Sequence, residues 1–222
     1  MPLDFPANPT NGQTYDNYFY DASISSWRSS GTKAGLTPRV VALETYPSGL
    51  VPVIPTSVSV GSGSASVSGT GLVTFTGASN LILNGVFSSL YKNYKVLVDF
   101  TNSVIGEVNY SRVSSGGTVN TGTYRVRGYQ QTSNTTPTNW GFDATAWTFG
   151  RGAGDAAISM DIFDPATTKR TRMNMQMFGY VSNEAAWGIS GGLDNFLQFD
   201  GYNIYPNSGT ITGTIQVYGY RN

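Results

Sequence analysis

Three tryptophans are the side chains in this sequence best suited to binding chemistry. Trp140 follows Asn134-Thr135-Thr136-Pro137-Thr138-Asn139, Trp147 precedes Gly150-Arg151-Gly152-Ala153-Gly154, and Trp187 follows Asn183-Glu184-Ala185-Ala186. An indole in such a setting can stack its apolar face on a sugar ring while neighbouring amides, carboxylates and guanidinium groups bind the hydroxyls. The same rings could instead fill the core between two sheets, and the residue pattern leaves both roles open. Asp161 with Asp164, or Asp194 with Asp200, have the residue types of a glycosidase acid and nucleophile. Two side chains at i and i+3 on one strand point to opposite faces, which counts against the first pair. Gly150-Arg151-Gly152-Ala153-Gly154-Asp155 is glycine-rich like a phosphate loop. It lacks the Lys-Ser/Thr ending and a following helix, so a hairpin tip is expected there. Lys169-Arg170-Thr171-Arg172 reads as a solvated loop or an intersubunit ion-pair site rather than a nucleic-acid patch.

What is missing narrows the chemistry further. The 222 residues include no Cys and no His. That removes thiol nucleophiles, disulfides, Ser-His-Asp triads, imidazole acid–base work and the usual zinc or copper sites. Loop Asp and Asn residues show no EF-hand spacing, so neither a metal nor another cofactor is expected. Thirteen basic residues balance thirteen acidic ones, and a chain with no net charge has no global field to draw it to nucleic acid or anionic membrane. Charged residues make up only 12%, against about 25% in an ordinary soluble domain. With 27 Gly and 14 Tyr, this composition suits a β-protein whose neutral, hydroxyl- and amide-rich surface sits on a particle or against carbohydrate. No run reaches the ~18 apolar residues of a membrane span, and Met1-Pro2-Leu3-Asp4-Phe5-Pro6 lacks the features of a signal peptide. The expectation is a non-enzymatic protein, made in a reducing cytoplasm and not inserted in a membrane.

Strands must position any such site. Apolar residues alternate with polar ones in Tyr94, Val96, Val98 and Phe100, in Ile158, Met160 and Ile162, in Met173, Met175 and Met177, and in the closing run Ile211, Ile215 and Val217. Period two marks half-buried strands. Roughly ten such runs, separated by turn residues and without a sustained helical period, predict an all-β, antiparallel, jelly-roll-like sandwich over 57–222. Only Val86 to Tyr94 resembles a helical turn. The closing strand ends close to the C-terminus and is expected to be tied into the core. Residues 1–32 combine a tight-turn dipeptide, Asn11-Gly12, with short aromatic strands and a hairpin ending on Trp27, a small β-module too small to stand alone. Residues 33–56, carrying Pro38, Pro47, Pro52 and Pro55, read as a linker in a Pro/Gly/Ser-rich spacer. At Gly61 the alternation changes phase, consistent with a bulge or with a flexible linker.

The run Tyr205 to Tyr220, the segment Leu83 to Val96 and Ile158-Ser159-Met160-Asp161-Ile162-Phe163-Asp164-Pro165 resemble a family of bacteriophage virion structural proteins described as minor tail proteins or tail fibres. The opening Phe5-Pro6-Ala7-Asn8-Pro9-Thr10-Asn11-Gly12-Gln13-Thr14-Tyr15, followed by Trp27, resembles a short module near the ends of phage tail and fibre proteins. The resemblance implies localisation in the virion, a homotrimer, other tail or capsid proteins as partners, and host-surface glycan as a contact. It also makes Phe5, Pro6, Tyr15 and Trp27 candidate attachment residues. A capsid head fibre or decoration protein is the alternative, and a glycan depolymerase the third.

Overall fold

The computed structural model describes residues 7–15, 18–23, 25–29, 49–104, 107–132, 136–152, 155–180 and 184–221. They fall into two units, divided between Ser48 and Gly49. In the first, β1 (Thr14–Tyr15), β2 (Tyr18–Asp21) and β3 (Ser26–Ser29) form an antiparallel sheet in the order β1-β2-β3. Gly12 adopts φ 78°, a left-handed conformation that glycine enters without steric cost, and its N–H donates to the Tyr20 carbonyl at 2.9 Å. The expected hairpin is β2–β3: Tyr20 pairs with Trp27 across the strands, and their rings lie 5.6 Å apart.

The second unit holds β4 (Gly49–Val53), β5 (Ser57–Val60), β6 (Ser64–Val67), β7 (Val73–Ala78), β8 (Leu81–Asn84), β9 (Asn93–Asn102), β10 (Glu107–Ser115) and β11 (Thr118–Val119). It continues with β12 (Tyr124–Thr132), β13 (Thr138–Ala144), β14 (Trp147–Gly152), β15 (Asp155–Phe163), β16 (Arg172–Tyr180), β17 (Glu184–Leu193), β18 (Gly201–Pro206) and β19 (Ile211–Arg221). They make a six-stranded and a ten-stranded sheet, antiparallel throughout, packed as a sandwich. Eight principal strands, β7, β8, β9, β10, β14, β15, β18 and β19, run β7-β19-β9-β15 in the large sheet and β8-β18-β10-β14 in the small one. The first, eighth, third and sixth strands thus share one sheet and the second, seventh, fourth and fifth the other, which is a jelly roll. β12, β13, β16 and β17 widen the large sheet beyond β15, in the order β15-β16-β17-β12-β13. The closing strand is central: β19 pairs with β9 along one edge and with β7 and β4 along the other.

Three expectations change. The sandwich begins at Gly49 rather than Ser57, because Val51-Pro52-Val53 pairs with the end of β19; Pro52 is tolerated there because, among the described strands, β4 pairs with β19 alone. The phase change at Gly61 marks a switch between sheets, with β5 in the small sheet and β6 in the large one. A Cβ at Gly63, which has φ +72°, would lie 2.0 Å from the Thr76 carbonyl oxygen, so only glycine lets the chain turn that corner. Residues 86–92 contain no helix. Residues 30–48, which hold most of the expected spacer, lie outside the described residues. No described residue is helical, so no helix here is long and apolar enough to cross a membrane.

The core lies where the alternation predicts. Tyr94, Val96, Val98 and Phe100 of β9, Met160 and Ile162 of β15, and Met173, Met175 and Met177 of β16 are buried. They face Trp147 and Phe149 of β14, Val113 of β10, and Tyr202 and Ile204 of β18, also buried. Tyr124 and Trp147 meet edge to face, ring centres 5.1 Å apart at 85°, a favoured geometry for their quadrupoles.

Candidate functional site

The inward rows are closed by the opposing sheet, so a recognition site on the large sheet has to use its outer face. Register defines that face strand by strand. Gln216 of β19 pairs with Leu97 of β9, Leu97 with Ser159 of β15, Ser159 with Gln176 of β16, Gln176 with Gly188 of β17, and Gly188 with Tyr129 of β12. This row crosses six strands, about 24 Å at the ~4.8 Å spacing of neighbouring strands. The next row runs Thr214, Asp99, Ala157, Phe178, Ala186 and Gln131.

Small side chains in the middle of these rows, Ala157, Ser159, Ala186 and Gly188, leave a trough. Its walls are Leu97 and Tyr218 on one side and Tyr129 and Phe178 on the other, and the groove encloses about 750 Å³, within the range of ligand sites. Leu97, Tyr129 and Phe178 are 37%, 47% and 54% exposed. Adjacent exposed apolar side chains mark a contact surface more often than scattered ones do.

One contact shapes the floor. A Cβ added to Gly188 would lie 2.2 Å from Tyr129 Cε1 and 2.4 Å from its Cζ. The phenol therefore lies over the glycine and occupies the space a side chain would fill, as aromatic rings do on glycines in sheets. Polar groups line the far end of the groove: Gln216 donates through Nε2 to the Thr70 carbonyl at 2.8 Å and accepts from the Tyr218 hydroxyl at 3.0 Å. Asp99, Ser159 and Gln176 line the same groove.

The row on the other side of the groove is charged. Lys95 Nζ donates to Asp161 Oδ1 at 3.1 Å, and the Tyr220 hydroxyl donates to the same oxygen at 2.5 Å. Partial burial opposes the Lys95 charge, but the hydrogen bond and charge of Asp161 outweigh it, and the ammonium titrates above its ordinary value. Burial, then the hydrogen bond to Asp161, raises the Tyr220 phenol as well. The charges on this flank are held by each other.

Of the three candidate tryptophans, Trp147 and Trp187 are 0% and 2% exposed. Their indoles are core, turned inward by the strand parity of β14 and β17, and cannot stack on a ligand. Trp140 is half-buried and stacks on Phe142, with centres 5.4 Å apart and planes at 17°. Trp27 is half-buried in β3 and Tyr15 ends β1, whereas Phe5 and Pro6 lie outside the described residues.

The carboxylates have structural partners. Asp164, 2% exposed and in a left-handed conformation at φ 58°, accepts from Arg172 at 2.7 Å. Asp194 bridges Arg125 at 2.8 Å and Arg170 at 3.0 Å; the hydrogen bond from Arg125 holds it below the usual carboxylate range. Asp200 accepts the Gly116 N–H at 3.0 Å. The cluster at 169–172 thus makes ion pairs within the chain. Gly150 to Asp155 is not a hairpin tip, because β14 and β15 belong to different sheets.

No protein-family model and no curated protein matches this chain.

Leu97, Tyr129 and Phe178 nonetheless had a signal in the sequence. Each is a large apolar residue on the polar parity of its strand: Leu97 between Val96 and Val98, Phe178 after Met177, and Tyr129 out of step with Tyr124 and Val126.

Proposed function

We propose that this chain is a non-enzymatic component of a phage virion, attached through residues 1–32, whose sandwich presents the outer groove of the large sheet to carbohydrate on the host surface. The observation that carries the carbohydrate reading is the Tyr129 ring laid over Gly188 in a groove that Phe178, the Gln176 amide and the Ser159 hydroxyl also line. An apolar ring face flanked by uncharged donors and acceptors matches a sugar, which offers C–H on its faces and hydroxyls at its edge. The virion setting rests on the resemblance of the segments quoted above and on the low charge of the chain. A head-fibre station would use the same groove and differ only in the particle protein that residues 1–32 contact.

A glycan array tests the site. Tyr129→Ala is expected to weaken every saccharide the unaltered protein retains, while Trp187→Phe, a change inside the core, leaves the retained set unchanged. An unaltered protein that retains no saccharide, or Tyr129→Ala binding undiminished, overturns the groove. Deletion of 1–32 that leaves incorporation into particles intact overturns the attachment role.

A second reading has its own observation. Leu97 and Phe178 are exposed on the same outer face of the large sheet, as expected of a surface that closes against further copies of the chain, and the resemblance implies a homotrimer. Phe178→Ser separates the readings: under self-association, light scattering shows a drop in mass, and under saccharide binding the mass is unchanged.

A further inference from the structure

A second cavity opens on the outer face of the small sheet. Tyr110 and Arg112 of β10 face outward with Tyr205 of β18, while Asn109, Ser111 and Val113 between and beside them are buried. Tyr110 and Tyr205 pair directly across the strands, their rings stacked at 5.3 Å and 25°. The Arg112 guanidinium carbon sits 4.8 Å from the Tyr205 ring centre. Where β13 leaves the large sheet and the chain enters β14, Thr145 binds the same guanidinium. Arg112 Nε donates to its carbonyl at 2.8 Å, and Nη2 donates to its hydroxyl at 3.3 Å.

These contacts fix an arginine without neutralising it. A guanidinium has five N–H donors in a rigid fork. Nε and one N–H of Nη2 are taken by Thr145, which leaves both N–H of Nη1 and the second N–H of Nη2. That terminal pair is the edge that binds a carboxylate through two parallel hydrogen bonds. The cavity beside it encloses about 620 Å³. Among the described residues of its lining Arg112 is the one that is formally charged, and the others present Phe142, Tyr110 and Tyr205 rings with the Thr148 hydroxyl and Asn207 amide. Phe142, backed by Trp140, is 40% exposed.

We infer that this cavity is a binding site for a carboxylated sugar, a uronic or sialic acid unit, with the carboxylate on the free fork of Arg112 and the ring against Phe142. A neutral sugar would leave the fork unpaired and a phosphate would gain nothing from the apolar wall. The site is separate from the groove of the large sheet and stands or falls without it.

The test uses the full chain and matched probes, methyl glucuronide against methyl glucoside and sialyllactose against lactose, titrated by calorimetry or saturation-transfer NMR. The acidic member of each pair is expected to bind at least about tenfold more tightly. Arg112→Gln should bring the two members level, while Phe142→Ala weakens both and keeps their ratio. Tyr129→Ala should leave the ratio untouched, which distinguishes failure here from failure of the groove. Equal binding of acidic and neutral probes by the unaltered protein overturns the inference whether or not the Arg112 variant folds. So does sodium acetate binding as tightly as methyl glucuronide, or a ratio that survives Arg112→Gln.

Discussion

Replacing Gly188 by Ala separates the seat of the Tyr129 ring from the ring itself. The new Cβ would stand 2.2 Å from Cε1 and 2.4 Å from Cζ, whereas carbon atoms pack at about 3.5–4.0 Å, so the ring has to move by more than about 1 Å. The phenol is 47% exposed and can rotate into solvent, so the ring gives way and the backbone of β17 stays in register. Stability then changes little: the packing lost under the ring is offset by the ~0.5–1 kcal/mol that glycine costs relative to alanine inside a strand. Binding suffers more. A stacked aromatic contact contributes about 0.5–1.5 kcal/mol, roughly two- to twelvefold in affinity at 1.4 kcal/mol per decade. Two measurements check this: the Gly188 Hα resonance, displaced upfield by the ring in the unaltered protein and restored in Tyr129→Ala, and titration with a saccharide the unaltered protein retains. A Gly188 Hα at its ordinary position, or Gly188→Ala weakening binding just as much in a Tyr129→Ala background, would refute the reasoning.

Two further outcomes follow from the core. Trp147→Ala empties a fully buried site against Tyr124 and is expected to cost about 3–5 kcal/mol, seen as a lower denaturant midpoint with unchanged slope; a loss below about 1 kcal/mol would mean that the ring is not in the core. Burial raises the phenols of Tyr124 and Tyr202 well above their ordinary value, which is near 10. Both stay neutral in the folded chain while the unfolded chain ionises, so their contribution is fully present below about pH 10 and is lost as pH rises beyond it. Tyrosinate absorbance should show two phenols that titrate only as circular dichroism reports unfolding; their ionisation with native structure intact would contradict their burial.

The strands with clean alternation, β9, β15, β16 and β19, were legible because each buries one face and the residues say which. β17 was not. Its run Glu184-Ala185-Ala186-Trp187-Gly188-Ile189-Ser190-Gly191-Gly192-Leu193 has too many small residues to read as a strand. The reason lies in its neighbours: a Cβ at Gly191 would come within 2.5 Å of the Arg125 carbonyl oxygen, and one at Gly188 would strike Tyr129. Glycine records the close approach of another part of the chain, and its identity alone does not say which part.

Sequence by itself therefore determined the β class, the inward rows, the hairpin on Trp27 and, through the missing Cys and His, the chemistries this chain does not use. Alternation is a local property and survives any arrangement of the strands. Tertiary structure decided the strand order, the burial of Trp147 and Trp187, and the neighbours of each outward residue. Leu97, Ser159, Gln176, Gly188 and Tyr129 come from five strands and share one row only because β9, β15, β16, β17 and β12 pair in that register. Register depends on partners distant in the chain, so the groove exists in the pairing and in no single segment.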